Sequence, residues 1–180
     1  VTIIFMLVAC ISSAVASETV NFQHLSLNSM FPQITINGLY QDESGVLWIG
    51  TKDGVKKYNG NYIESVNFMG INNWIQSNLV PTICGDKKGH LYVNTDYSII
   101  EYDLIKEESR IIFSQPNTQI LPSIAFNYGI NSLWIGLLDS VYNYKEGICQ
   151  AKYKIDSNNL SISSLKEASD KMLYICLLYT

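Results

Sequence analysis

Leu47-Trp48-Ile49-Gly50-Thr51 is one strand-like element, and its pattern returns three times. Leu91-Tyr92-Val93-Asn94-Thr95, Leu133-Trp134-Ile135-Gly136-Leu137 and Leu173-Tyr174-Ile175-Cys176-Leu177 share its apolar frame and aromatic second position. Those aromatic positions are separated by 44, 42 and 40 residues. Self-similarity at about 42 residues confines the chain to repeat architectures, and four-stranded propeller blades and helical arrays both use that period.

Local pattern decides between the two. In the first repeat Ile34 to Tyr40 reads as a strand, Asp42-Glu43-Ser44-Gly45 as a turn, Val46 to Thr51 as a second strand and Gly54 to Tyr58 as a third. Asn59-Gly60 is a hairpin signal, and Tyr62 to Phe68 is the fourth strand. In the turn the aspartate caps backbone donors and the glycine takes the positive-φ position. No segment carries a sustained apolar i, i+3, i+4, i+7 stripe, so a helical array is excluded. The expected fold is all-β: a β-propeller of four-stranded antiparallel blades over 34–180. The blades are expected at 34–68, 78–113, 118–155 and, in part, 158–180. About three and a half blades fall short of the four to eight that close a ring, so an incomplete propeller from the N-terminal part of a longer protein is expected.

Composition agrees with a β-rich chain. The 180 residues are 47% hydrophobic and 16% charged, with 12 tyrosines, and aromatic side chains suit a pleated, half-buried surface. A net charge of -4 without a Lys/Arg cluster excludes the concentrated basic footprint that nucleic acid requires.

Residues 1–16 differ in kind. Ile3 to Ala16 is uncharged and apolar, of signal-peptide length and too short to span a bilayer. Ala14-Val15-Ala16 offers a cleavage site, whereas Leu7-Val8-Ala9-Cys10 offers a lipobox with Cys10 as lipid anchor. Cleavage at Ala16 is preferred, because the apolar run continues past Cys10. Both readings export the protein, and both expect an N-terminally truncated signal. Residues 17–33 form a lead-in, in which 20–25 alternates as a strand suited to completing a blade. Cys84, Cys149 and Cys176 have no metal-ligand spacing and read as small strand or core residues.

Gln41 to Gly60, with its acidic-glycine turn, Leu-Trp-Ile-Gly-Thr, Asp53-Gly54-Val55 and Tyr58-Asn59-Gly60, resembles the two-component regulator propeller repeat. Ser77-Asn78-Leu79-Val80 resembles the step between blades in that family, and Phe22-Gln23-His24-Leu25 the start of the mature sensor. Later repeats depart from the pattern: Tyr92 replaces Trp, Asn94 replaces Gly and Leu137 replaces Thr. The resemblance implies the periplasmic ligand-sensing region of a Bacteroidetes-type hybrid two-component sensor histidine kinase that detects glycans. It implies an oligosaccharide ligand, the remaining blades as partners, and a homodimer in the full-length sensor, whose catalytic domains lie outside this chain. The rival readings are a secreted propeller enzyme, lyase or glycosidase, and a protein-binding propeller scaffold.

No catalytic, cofactor or metal site is expected. Asp42 and Asp86 occupy the same turn position and read as caps, Glu107-Glu108 reads as a solvated hairpin tip, and no nucleophile elbow or phosphate-binding loop is present. Trp48, Tyr92, Trp134 and Tyr174 are expected to pack between blades rather than stack on sugars. Asn72, Asn73 and Trp74, in the segment between the first two repeats, are the candidate ligand contacts.

Overall fold

The computed structural model describes residues 35–68, 79–114, 122–156, 160–168 and 172–179. All regular structure among them is strand. Blade 1 consists of β1 (Ile36–Gln41), β2 (Leu47–Thr51), β3 (Gly54–Tyr58) and β4 (Ile63–Val66). Blade 2 consists of β5 (Thr82–Gly85), β6 (His90–Asn94), β7 (Ser98–Asp103) and β8 (Glu108–Ser114). Blade 3 consists of β9 (Ser123–Asn127), β10 (Ser132–Leu137), β11 (Ser140–Lys145) and β12 (Ile148–Lys154). Of blade 4, β13 (Leu160–Glu167) pairs with β14 (Leu173–Tyr179). Each sheet is an antiparallel meander in chain order, and β1, β5, β9 and β13 contact one another in succession. First strands that line up side by side are the inner ring of a β-propeller, and the chain has that fold.

The core lies between the blades, not within them. The side chains of a strand alternate between its two faces, so every sheet offers one face to each neighbour. Trp48 of β2 packs with Leu91, Val93, Ile100 and Tyr102 of blade 2. Tyr92 of β6 packs with Ile124, Phe126, Leu133, Ile135 and Tyr144 of blade 3. Trp134 of β10 packs with Ile162 and Leu165 of blade 4. The repeated aromatic therefore faces the following blade each time, and the leucine before it faces the preceding one. Leu91, Ile99, Ile100, Leu133 and Ile135 have no exposed surface at all, so truncating any of them to alanine costs about 2–5 kcal/mol.

The step from one blade to the next explains the glycine in the repeat. Thr51 O accepts a hydrogen bond from Val80 N at 2.9 Å, and Leu138 O accepts one from Ile162 N at 2.7 Å. A Cβ on Gly50 would meet Val80 Cγ1 at 2.9 Å, and one on Gly136 would meet Ile162 Cγ2 at 2.6 Å. Only a residue without a side chain lets the incoming segment lie this close. At the corresponding step out of blade 2, Asn94 replaces the glycine and its side-chain amide donates to Pro122 O. Proline has no N–H to offer, and the asparagine makes the connection from the other side.

Candidate functional site

The turns joining the first two strands of blades 1, 2 and 3 gather along one rim, and an acidic cap builds the first two. Asp42 Oδ1 accepts hydrogen bonds from Ser44 N at 2.9 Å, Ser44 Oγ at 2.6 Å and Val46 N at 3.0 Å. Its Oδ2 accepts the indole N–H of Trp48 at 2.8 Å. Burial pushes the Asp42 carboxyl up, but the hydrogen bonds from Ser44, Trp48 and Val46 outweigh it and hold it below the ordinary carboxylate value. Asp86 repeats the cap on Lys88 N and His90 N, and its Oδ2 lies 2.8 Å from His90 Nδ1. The last turn residue, two or fewer positions before the second strand, has positive φ in blades 1, 2 and 3: Gly45 at 86°, Gly89 at 102° and Asn131 at 52°. Asparagine is among the few side chains that tolerate that region.

Blade 3 breaks the pattern. Its strand pairing closes at Asn127 and Ser132, which makes the turn one residue longer and puts Asn127 where the other blades have aspartate. Asn127 Oδ1 accepts from Ile130 N, and the buried Trp134 Nε1 has no hydrogen-bond partner among the described residues. The extra residue brings out Tyr128, whose hydroxyl donates to Gly85 O at 3.1 Å and whose ring lies 5.0 Å from Lys87 Nζ. Lys88 Nζ reaches Asn131 Oδ1 at 2.8 Å, so the blade 2 and blade 3 turns are tied together.

Between the blade 1 and blade 2 turns lies a cleft of about 520 Å³. Its polar wall contains Glu43, Lys57, Lys87 and Glu107, and its apolar wall Trp48, Tyr102 and Ile105. Lys57 is paired with Glu64 at 2.9 Å. Tyr40, on the inner strand of blade 1, packs its ring over Gly85, where a Cβ would collide with it. Burial, then Glu43, pushes the Tyr40 hydroxyl up to about 12, so it stays a neutral donor at physiological pH. The cleft thus sets charges of both signs beside aromatic surface.

A second polar group, not anticipated from sequence, joins blades 2 and 3. Glu101 on β7 is buried and bonded to Arg110 Nε. Arg110 also donates to Tyr144 Oη at 2.9 Å, and Tyr92 Oη donates to Glu101 at 3.3 Å. Burial raises the Tyr92 and Tyr144 hydroxyls and the Glu101 charge adds to it, while the bond to Glu101 raises the arginine. The two hydroxyls thus stay neutral and the guanidinium stays charged, which suits an inter-blade tie.

Trp48, Tyr92 and Trp134 are 6%, 6% and 9% exposed, whereas Tyr174 is 57% exposed. Tyr174 departs from the expected set because its side of β14 is the one a following blade would cover, and none of the described residues does so. Cys84 and Cys149 flank the blade 2–3 core, but Cys176 is exposed. Asn72, Asn73, Trp74, Cys10 and the signal and lead-in segments lie outside the described residues. Among the described residues, no group of three His, Cys, Asp or Glu side chains is placed to hold a metal ion, and no helix is long and apolar enough to cross a membrane.

Residues 30–53 match the two component regulator propeller family. No curated protein sequence matches the chain. Its fold is similar to the extracellular domain of BT4673 from B. thetaiotaomicron, described as a hybrid two component system, with TM-score 0.64 and 18% identity over 79% of this chain and 19% of that one. The extracellular domain of BT3049 from the same organism, described likewise, gives TM-score 0.60 and 18% identity over 78% and 20%. Virginiamycin B lyase from Staphylococcus aureus gives TM-score 0.64 and 15% identity over 81% and 50%. The chain thus spans about a fifth of the length of the two extracellular domains.

Proposed function

We propose that this chain, which carries a two-component regulator propeller repeat, is part of an exported ligand-recognition domain of a hybrid two-component sensor. On this reading the ligand is an oligosaccharide, held on the turn rim, and the propeller itself is non-catalytic. The observation that carries the reading is the cleft of about 520 Å³ between blades 1 and 2, next to the repeat that matches the family. Hydroxyl-rich rings need several donors and acceptors plus an aromatic edge, which Glu43, Lys87, Glu107 and Tyr102 supply. A signal follows only if the ligand binds one arrangement of the protein better than another, and a homodimer across the membrane is the arrangement we assign to it.

Titration calorimetry of the full-length protein's extracellular region against a panel of oligosaccharides tests this. Binding by at least one glycan, weakened by Lys87→Ala together with Glu43→Ala, supports the assignment. Silence across the panel, or binding indifferent to those changes, refutes it. The second reading, a propeller lyase, draws on the likeness to virginiamycin B lyase, and turnover of virginiamycin B by the same preparation would establish it instead.

A further inference from the structure

The charges around the blade 1–2 cleft are unevenly engaged. Each lysine bordering it already has a partner for its ammonium group. Lys57 Nζ is 2.9 Å from Glu64, Lys87 Nζ lies 5.0 Å from the centroid of the Tyr128 ring, and Lys88 Nζ reaches Asn131 Oδ1 at 2.8 Å. Tyr128 and Asn131 belong to blade 3, so the blade 2 turn carries both of its lysine charges toward that neighbour. Glu43, in the β1–β2 turn, and Glu107, in the β7–β8 turn, also border the cleft. Neither makes an ion pair among the described residues.

Tyr102 points the same way. It lines the cleft and is only 9% exposed, yet its hydroxyl, unpaired among the described residues, retains accessible surface. Burial, then Glu107, pushes that hydroxyl up, with Lys57 opposing, so it stays neutral and both donates and accepts. Unpaired acceptors beside aromatic surface, with the ammonium groups engaged elsewhere, favour a guest that brings positive charge of its own. We propose that the oligosaccharide taken by this cleft carries free, protonated amino groups, as oligomers of glucosamine do, a refinement that rests on the oligosaccharide reading. Its ammonium groups pair with Glu43 and Glu107, and Tyr102 Oη takes one of its hydroxyls. Ile105, 82% exposed, meets the apolar face of a sugar ring.

The probes are the trisaccharide of β-1,4-linked glucosamine and its fully N-acetylated form, which keeps the sugar and removes the charge. Calorimetry compares them at mildly acidic pH, where the carboxylates stay ionised, on the preparation used for the oligosaccharide panel. Two exposed charge pairs predict about three- to tenfold tighter binding of the amine. Glu43→Gln with Glu107→Gln is expected to erase that preference. Glu146→Gln with Asp156→Asn removes two carboxylates elsewhere and is expected to leave it intact, which separates the cleft from general attraction to an acidic protein. Circular dichroism confirms the fold of each variant, and the comparison of the two sugars on the unaltered protein stands even if a variant does not fold. Equal affinity, tighter binding of the acetylated sugar, an undiminished preference in the folded Glu43 and Glu107 variant, or a preference lost in the control variant would each overturn the proposal and leave the oligosaccharide reading in place. No binding of either trisaccharide also overturns it, and the rest of the panel then decides the broader reading separately.

Discussion

Replacing Asp42 with alanine tests whether the acidic turn and the repeated tryptophan act as one unit. The substitution removes acceptors for Ser44 N, Ser44 Oγ, Val46 N and Trp48 Nε1. The Ser44 groups are exposed and regain water, so their loss is small. Trp48 is only 6% exposed, and an indole N–H left unpaired in that setting costs about 1–3 kcal/mol. With about 0.5–1 kcal/mol for each turn bond that water replaces imperfectly, the expected destabilisation is about 3 kcal/mol. Urea unfolding followed by circular dichroism measures it. A double-mutant cycle with Trp48→Phe, which deletes the donor, should return about 1–2 kcal/mol of coupling. Additivity within about 0.5 kcal/mol would show that the tryptophan does not depend on the cap, and the argument would fail. The sign of the pH dependence is also fixed. Because the folded carboxyl titrates below its unfolded value, its contribution is fully present above the unfolded pKa and disappears as pH falls through the folded one. The stability gap between the wild-type protein and Asp42→Ala should therefore narrow on acidification.

Three further outcomes are expected. Gly136→Ala places a Cβ 2.6 Å from Ile162 Cγ2 and 3.0 Å from Leu165 Cδ1. It should cost about 1–3 kcal/mol by overpacking the step into blade 4, read as a lowered urea midpoint with unchanged slope. Arg110→Ala strands the buried Glu101. Because the arginine side chain is 61% exposed and water can replace part of it, the loss should be about 2 kcal/mol, less than the about 3–5 typical of a fully buried pair, and Glu101→Gln on that background should recover some of it. Burial pushes the Cys84 thiol up to about 12, so in native protein at mildly alkaline pH iodoacetamide should modify the exposed Cys176 first and spare Cys84, with the sites read by peptide mass spectrometry.

The turns and the blade order were legible in the sequence because their signals are local. Asp42 and Asp86 sit at fixed offsets from an aromatic strand, and the offset alone implies the cap. The facing of Trp48, Tyr92 and Trp134 toward the next blade follows from the period-2 alternation of a strand once neighbours are known to stack. Glu101 was not legible, because it lies among Ile99, Ile100 and Tyr102 in a strand that reads as uniformly buried, and its partner Arg110 is specified only by the register across the β7–β8 hairpin. That register includes an irregularity between Ile99 and Ile100. The longer blade 3 turn is one inserted residue, and a reading by spacing from Trp134 alone assigns the aspartate position to Tyr128 rather than to Asn127.

Because every hydrophobic cluster among the described residues bridges two sheets, a single blade here is not an independent cooperative unit. The molecule behaves as a linear array in which each link between neighbours carries its own free energy. Amide protons in β6 and β10, flanked by a packed blade on both sides, should exchange with solvent through the rarest openings, while those of β14, with one described neighbour, should exchange through the commonest. Damage at one link would then split the array at that point and leave the far side ordered, as the opening of a zip differs from the melting of a droplet.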